Sequence, residues 1–149
     1  MTMNEAFLSF ERATLYRVID SRRDVRTFTR DPLPEDVLRR ILSAAHHAPS
    51  VGLMQPWNFV LIQDPAMKAQ VKAIFRRENE KAAGNYTGDR GALYRSLKLE
   101  GIEEAPINLC VTCDRTRGGP HVLGRHTIVD TDLYSTCCAI QNLWLAAPR

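Results

Sequence analysis

The sequence contains a cluster of arginines whose spacing suits the binding of an anion. Nine consecutive positions hold four of them, Arg22, Arg23, Arg26 and Arg30, although the 149-residue chain has a net charge of only +3. Guanidinium groups clustered in a nearly neutral chain favour a small anionic ligand, such as a phosphate group, over a polyanion. If this segment continues the preceding helix, Arg22 and Arg26 lie on one helical face as an i, i+4 pair. A solvated surface is the alternative interpretation.

A carboxylate and two loops complete the set of candidate residues. Asp24 lies between the arginines, and its spacing alone makes it a charge partner for them. Ser50 and Gln55 bracket a loop with Met54, which offers a planar heterocycle a hydroxyl, an amide and a polarizable side chain. The alternative is that Ser50 caps a turn and that Met54 lies in the core. Leu99 follows a glycine-rich stretch that is suited to form a lid over a site.

The four cysteines do not predict a metal centre. Cys110 and Cys113 have the spacing of a redox or zinc-binding pair, but no second pair of that kind follows. Both lie in or beside an apolar stretch with the pattern of a buried strand, where cysteine behaves as a small hydrophobic residue. Cys137 and Cys138 are adjacent, so they point to different sides of a helix. We therefore predict structural roles for these residues and no metal.

Hydrophobic periodicity predicts the elements that position these residues. The arginine segment follows a helix, and the Ser50 loop connects a helix to a strand. The last helix is apolar around nearly its whole circumference, which is typical of a helix in a core or an interface. Residues 84–91 contain three glycines and are predicted to be mobile. The predicted helices cover residues 4–21, 34–48, 65–83, 94–99 and 132–147, and the predicted strands cover residues 57–62 and 107–112.

The composition excludes several classes of protein. With 44% hydrophobic and 25% charged residues, the chain has the balance of one globular domain and not that of a disordered segment. No stretch approaches the roughly 20 apolar residues that cross a membrane. The first residues lack the apolar block of a secretory signal, so we expect a cytoplasmic location. The basic residues form no concentrated stripe, which argues against nucleic acid as a partner.

Several strings of this sequence resemble those of one enzyme family. Residues 22–26 (RRDVR) and 44–59 (AAHHAPSVGLMQPWNF) resemble the flavin-binding front half of the nitroreductase superfamily. Three longer strings are more specific and are similar to the BluB group of that superfamily, the 5,6-dimethylbenzimidazole synthases. They are residues 94–102 (YRSLKLEGI), 110–119 (CVTCDRTRGG) and 132–147 (DLYSTCCAIQNLWLAA). The similarity runs from about residue 16 to residue 147.

The resemblance implies a fold, a cofactor and a partner. The implied fold is α+β, with a nitroreductase-like three-layer arrangement of a sheet flanked by helices, in a single flavin domain over residues 1–149. A homodimer that holds FMN at the subunit interface is also implied, and it accounts for the apolar last helix. The implied FMN-binding residues are Arg22, Arg23 and Arg26 at the phosphate and flavin, Ser50, Met54 and Gln55 at the ring or ribityl edge, and Leu99 from the lid.

The narrower group implies a reaction in which FMN is the substrate. Reduced FMN reacts with dioxygen and is broken into erythrose 4-phosphate and 5,6-dimethylbenzimidazole, the lower ligand of cobalamin (vitamin B12). NAD(P)H takes part indirectly, through a separate flavin reductase that supplies reduced FMN. The fragmentation moves protons at the ribityl carbon and the ring nitrogens, and a carboxylate beside the flavin can carry them. Asp24 is the implied catalytic residue, because ordinary nitroreductases usually have a small polar residue at that position.

The end of the sequence departs from the family pattern. Family members continue past the last helix into a Gly-Trp-Val-Ser-like segment, whose serine also serves catalysis, and then into further strands. Here Pro148 and Arg149 follow the helix, so we expect a C-terminally truncated chain with an incomplete fold. Two alternatives therefore stay open. One is an NAD(P)H-dependent enzyme that keeps its FMN, either a nitroreductase or a cob(II)yrinic acid a,c-diamide reductase, and the other is an inactive fragment.

Overall fold

The computed structural model describes residues 7–147 and combines helices with a small sheet, so the expected α+β class is confirmed. The predicted helical residues 4–6, together with residues 148–149, lie outside the described range. No helix within that range has the length and apolar character needed to cross a bilayer. The elements in chain order are α1 (Ser9–Ser21), α2 (Glu35–His46), β1 (Trp57–Ile62), α3 (Pro65–Ala83), α4 (Gly88–Ser96), β2 (Asn108–Cys113) and α5 (Thr131–Ala146), with a 3-10 turn (Val51–Leu53) before β1.

The two strands pair in antiparallel register, with Trp57 opposite Cys113 at one end. α5 packs against this sheet, and the partly buried side chains of Phe59 and Val111 contact the core. Because successive side chains of a strand point to opposite faces, the residues next to Phe59 and Val111 in each strand face away from the core. Val60 is accordingly 50% exposed. The strands are therefore buried on one face only, whereas their apolar sequence predicted buried strands.

The core forms where α2, α5 and the sheet meet. Ala45 of α2 and Ala139 of α5 are both 0% exposed, and their small side chains let the two helices approach closely. Trp57 lies beside Ala139 with 3% of its surface exposed. Its indole N–H donates to Nδ1 of His46 at 3.2 Å. The largest core side chain therefore keeps a hydrogen-bond partner when it is buried.

α5 is buried in part and exposed in part. Its first turn contains Asp132, which is fully buried and accepts hydrogen bonds from Nε of Arg115 at 3.1 Å. Nη2 of Arg125 lies 3.0 Å from the same carboxylate oxygen. These ion pairs attach the loop between β2 and α5 to the helix. Tyr134 and Trp144 remain 59% and 51% exposed, so the apolar circumference expected from the sequence is only partly covered.

Lys68 attaches α3 to the segment that precedes β2. α3 covers the predicted residues 65–83. Asp64 caps its N-terminus by accepting a hydrogen bond from the backbone N–H of Met67. Lys68 is 7% exposed, and its ammonium donates to the carbonyl oxygens of Ala105 at 2.6 Å and Pro106 at 2.9 Å. α4 differs from its prediction: it begins at Gly88 and ends at Ser96, whereas the sequence predicted a helix over residues 94–99. Its first turn lies within residues 84–91, whose mobility stays a prediction.

Candidate functional site

A cavity of about 970 Å³ opens where the arginine segment, the loop before β2 and the end of α5 meet. Its volume is in the range of small-molecule sites, which is about 300–1,000 Å³. The structure therefore brings the charged candidate residues and Leu99 to one place. Five of the eight predicted site residues line the cavity, namely Arg22, Arg23, Asp24, Arg26 and Leu99.

The arginine segment lies outside the helix. α1 ends at Ser21, as predicted, and Arg22 has φ −56° and ψ 132°. The condition under which Arg22 and Arg26 would share a helical face is therefore not met. The two arginines converge nevertheless, because both of them contact Asp24.

Asp24 links the two guanidinium groups on this face. Nη1 of Arg22 donates to Oδ1 of Asp24 at 2.8 Å, and Nη2 of Arg26 lies 3.7 Å from Oδ2. The side chains of Arg22, Asp24 and Arg26 are 36%, 49% and 42% exposed, so an incoming anion can reach all three. A phosphate with several oxygens can accept from both guanidinium groups and compete with Asp24 for them.

Arg23 points in another direction. Its Nη1 donates to the backbone carbonyl oxygens of Asp20 at 2.8 Å and Arg22 at 2.7 Å. The last carbonyl groups of a helix lack helical partners, and a cation is favoured beside them. Arg23 therefore caps α1 in this structure, and its contact with a flavin stays a prediction.

The loop that contributes Leu99 is attached to α3 by ion pairs. Lys72 of α3 lies 2.6 Å from a carboxylate oxygen of Glu103 and 3.6 Å from one of Glu100. The hydrogen bond between Lys72 and Glu103 raises the pKa of the lysine and lowers the pKa of the carboxyl group. The position of this loop is therefore supported from the side of α3.

Gly101 attaches the same loop to the arginine segment. A Cβ atom at this position would clash with the ring of Phe28 and would lie 3.0 Å from the carbonyl oxygen of Arg26. Only a residue without a side chain allows this approach. The loop that contains Leu99 is thus held close to the arginine segment at Gly101, and the role of Leu99 in a lid stays a prediction.

The other three predicted residues, Ser50, Met54 and Gln55, do not line this cavity. Oγ of Ser50 accepts a hydrogen bond from the N–H of Gln55 at 3.1 Å, as expected for a turn cap. Met54 is 4% exposed, as expected for a core residue. Leu53 and Gln55 have positive φ angles of 54° and 46°, which are uncommon for residues other than glycine. Their contact with a flavin stays a prediction.

α5 separates the Ser50 loop from the arginine cavity. Near its start, Oγ of Ser135 accepts from the N–H of Val51 at 3.1 Å. Near its end, the guanidinium of Arg22 lies over the ring of Trp144. Ser135 and Trp144 are nine positions apart, which is about 13 Å along a helix. Two separate groups of candidate residues therefore exist within one chain.

Arg117 and Trp144 contribute to these two regions, although neither was among the predicted site residues. Nη1 of Arg117 donates to the carbonyl oxygens of Gln55 at 2.6 Å and Trp57 at 3.0 Å. Trp144 lines the arginine cavity and contacts Arg22. In the sequence, Trp144 belongs to an apolar helix and Arg117 belongs to a basic and glycine-rich stretch. Neither sequence pattern predicts which residues these two side chains contact.

Asp114 shapes the loop that carries Arg117. Its Oδ1 accepts from the hydroxyl of Thr116 at 2.7 Å and from the N–H of Thr116 at 2.9 Å. The hydrogen bond from the Thr116 hydroxyl is the main cause that lowers the pKa of Asp114, and the bond from the Thr116 N–H is the next. The positive charge of Arg117 lowers this pKa further. The carboxylate of Asp114 thus closes a turn directly before Arg117.

The cysteines are free thiols within the described residues. Cys110 is exposed, so the prediction that it is a small core residue of a buried strand is wrong, and Cys113 is half-buried. The difference arises because alternate side chains of β2 face away from the core. Across residues 7–147, no group of three histidine, cysteine, aspartate or glutamate side chains is arranged to hold a metal ion. The CxxC spacing therefore has no metal-binding counterpart in this part of the chain.

Three comparisons relate this architecture to known proteins. The model of the nitroreductase family matches residues 19–149. A 5,6-dimethylbenzimidazole synthase of Rhodospirillum rubrum is 44% identical over 126 residues, which are 85% of this chain and 60% of that protein. One of Rhodobacter capsulatus is 40% identical over 141 residues, which are 95% of this chain and 68% of that protein. The chain thus spans about 60–68% of the length of these curated relatives.

A solved structure with the same architecture contains a flavin. The crystal structure of oxidized iodotyrosine deiodinase bound to FMN and 3-iodo-L-tyrosine has a TM-score of 0.69 at 25% sequence identity. The superposition covers 89% of this chain and 67% of that chain. The similarity therefore extends over most of the chain.

Proposed function

The chain belongs to the nitroreductase family, and from this premise we propose that it acts as a 5,6-dimethylbenzimidazole synthase. The reaction consumes reduced FMN and dioxygen, and it releases erythrose 4-phosphate and 5,6-dimethylbenzimidazole, the lower ligand of cobalamin. The relatives of 44% and 40% identity have that name, which supports the proposal. The observation that carries it is the carboxylate of Asp24, held between two guanidinium groups in the wall of the cavity.

The residues around the cavity fit a flavin mononucleotide. Arg22 and Arg26 present guanidinium groups that suit its phosphate, and Arg23 adds positive charge beside them. Leu99 offers an apolar contact from the loop before β2. The reduced isoalloxazine ring supplies the electrons that dioxygen takes up. The chain itself binds the phosphate, orients the ribityl chain and moves protons.

Asp24 is the residue to which we assign proton transfer. Without a phosphate, its carboxylate is engaged by Arg22 and Arg26. A phosphate bound to these guanidinium groups draws their N–H donors away from Asp24, since both anions compete for the same donors. The carboxylate is then available to accept a proton from the ribityl carbon and to return it to a ring nitrogen.

The complete site forms, in this proposal, between two copies of the chain. Ser50, Met54 and Gln55 do not line the arginine cavity of their own chain. Exposed apolar side chains of α1 and α5, such as Phe10 (64%) and Tyr134 (59%), provide surface that a homodimer can bury. The Ser50 loop of one subunit then contacts the flavin whose phosphate is held by the arginines of the other.

Aerobic incubation of the purified chain with FMN, NAD(P)H and a separate flavin reductase tests the function. The added reductase represents the cytoplasmic source of reduced FMN that the reaction needs. We expect 5,6-dimethylbenzimidazole to form in proportion to the FMN lost, as measured by chromatography and mass spectrometry. The same incubation is run with a fusion that appends the C-terminal part of the Rhodospirillum rubrum relative, because the aligned region covers 60% of that protein.

Asp24→Asn is the matched variant for this experiment, because it preserves the size of the side chain and removes its capacity to carry a proton. Exposed ion pairs contribute little to stability, so FMN affinity should change by less than about threefold. Product formation should fall by about 10²–10⁴-fold.

Direct oxidation of NAD(P)H with FMN recovered intact would overturn the proposal in favour of a nitroreductase or a cob(II)yrinic acid a,c-diamide reductase. Product from the fusion but not from the chain alone would identify an inactive fragment, and no product from the fusion would overturn the proposal.

A further inference from the structure

Arg117 contacts the Ser50 loop and the start of β1 at three points. Its Nη1 donates to the carbonyl oxygens of Gln55 at 2.6 Å and Trp57 at 3.0 Å, and its Nη2 donates to Oδ1 of Asn58. The three acceptors lie between 59 and 62 positions earlier in the chain. A planar guanidinium presents several fixed donors at once, which suits a set of acceptors with this geometry.

The donors of Arg117 are directed at this loop and not at a neighbouring anion. Its nearest carboxylate among the described ion pairs is that of Asp114, at 3.8 Å, which is longer than a hydrogen bond. Asp114 is instead engaged by the hydroxyl and the N–H of Thr116. The main partners of the guanidinium group are therefore the carbonyl oxygen of Gln55 in the Ser50 loop and two oxygens at the start of β1.

The backbone of the Ser50 loop explains why such a contact is needed. Leu53 and Gln55 occupy the left-handed region, which costs free energy for residues with a side chain and persists where the surroundings enforce it. Local hydrogen bonds close the turn, such as the one from the N–H of Met54 to the carbonyl of Val51 at 2.9 Å. The bond from Arg117 comes from a residue far along the chain and engages the carbonyl oxygen of Gln55 at the end of the turn.

We propose that Arg117 is a positioning residue, which holds Gln55 in its left-handed conformation so that the Ser50 loop is already shaped for FMN. This inference rests on the proposed function, in which Ser50 and Gln55 contact the flavin. Arg117 itself acts through the loop and does not touch the flavin. It is thus a determinant of flavin affinity that lies outside the predicted site.

The test compares Arg117→Gln and Arg117→Lys with the control variant Arg39→Gln. Arg39 has a side chain that is 76% exposed on α2 and pairs only with Glu35 among the described ion pairs. Two measurements are made on each protein. Hydrogen–deuterium exchange without flavin reports on the backbone amides of residues 50–57, and a titration followed by the flavin absorption spectrum gives the dissociation constant of FMN.

In Arg117→Gln we expect amide exchange at residues 50–57 to accelerate by at least about tenfold, because hydrogen bonds to a charged group are lost. Exchange in α2 and α5 should not change, FMN should bind at least about tenfold more weakly, and Arg117→Lys should recover part of both losses. Exchange and affinity equal to those of Arg39→Gln would overturn the inference.

If Arg117→Gln fails to fold, Arg117→Lys decides: faster exchange confined to residues 50–57 supports the inference, and a uniform increase refutes it. If neither the unaltered chain nor its fusion binds FMN, the proposed function fails, while the exchange data still decide the role of Arg117.

Discussion

The guanidinium carbon of Arg22 lies 5.0 Å from the centre of the Trp144 ring. The same guanidinium donates to Asp24, so Arg22 is held by an aromatic face and by a carboxylate. Trp144 is 51% exposed and lines the arginine cavity. One side chain of the last helix therefore helps to direct an arginine of the first connecting segment toward the cavity, and the two elements form one wall.

Replacement of Trp144 by leucine should weaken FMN binding by about two- to fivefold, because the cation–π contact is worth about 0.5–1 kcal/mol at an exposed site. A titration with FMN measures the effect. Trp144→Phe is the matched control, since it keeps an aromatic face, and it should bind FMN more tightly than Trp144→Leu. Equal affinity in the unaltered chain and Trp144→Leu would show that the contact does not orient Arg22 for the ligand.

Gly101→Ala should disturb the arginine segment, because the new methyl group would clash with Phe28. We expect a loss of about 1–3 kcal/mol in the free energy of unfolding, as for other overpacked contacts, together with weaker FMN binding. Urea unfolding and flavin titration measure the two effects. Gly101→Ala combined with Phe28→Ala should restore part of the affinity.

Gly88→Ala is the control for that prediction. Gly88 has φ 56°, and a Cβ there would meet no atom within 4 Å, so alanine adds backbone strain without a clash. We expect it to destabilise the chain by roughly 1–2 kcal/mol and to leave FMN affinity unchanged. If both variants weakened FMN binding equally, the contact between Gly101 and Phe28 would not be specific to the site.

Lys68→Met should destabilise the chain by about 1–3 kcal/mol, because methionine fills a similar volume but leaves two carbonyl oxygens without their donor. Those oxygens belong to Ala105 and Pro106, just before β2. Chemical denaturation measures the change. The control is Lys81→Met, whose side chain is 66% exposed and which should have an effect of about 0.5 kcal/mol or less. Similar effects of the two variants would contradict a structural role for the buried ammonium.

The loop that carries Arg117 should loosen in acid. The Thr116 hydrogen bonds lower the pKa of Asp114 in the folded chain below its usual value of 3.8. The ionised carboxylate therefore stabilises the folded state above that usual value, and the stabilisation is lost as the pH falls through the lowered folded pKa. We expect amide exchange at Thr116, corrected for its intrinsic pH dependence, to rise in this acidic range. Asp114→Asn should show no such additional rise, and a rise that is the same in both proteins would refute the assignment.

Local signals in the sequence placed most of the elements, although α4 begins six residues before the helix predicted over residues 94–99. α3 spans its predicted range because Asp64 caps the helix, Pro65 suits its first turn and Gly84 follows its end. β1 also spans its predicted range. These signals act between residues that are close in the chain, and so they do not depend on the rest of the fold. The family membership likewise followed from contiguous strings.

The candidate site was predicted less completely. The sequence identified the arginines and Asp24 as a group and placed the end of the preceding helix at Ser21, where α1 ends. It did not reveal that Arg23 donates to the carbonyl oxygen of Asp20 near that end, because spacing alone does not give the direction of a side chain. The sequence also grouped Ser50 and Gln55 with the arginines in one flavin site, whereas α5 separates them within a single chain.

Taken alone, the order of apolar, capping and charged residues determined the helices and strands, the family and the set of candidate side chains. The tertiary structure decided which partner each polar group has: Arg117 with Gln55, Asp132 with Arg115, and Lys68 with Ala105. A hydrogen bond acts over only about 3 Å, so a partner that is many positions away in the chain is chosen by the packing of every element in between.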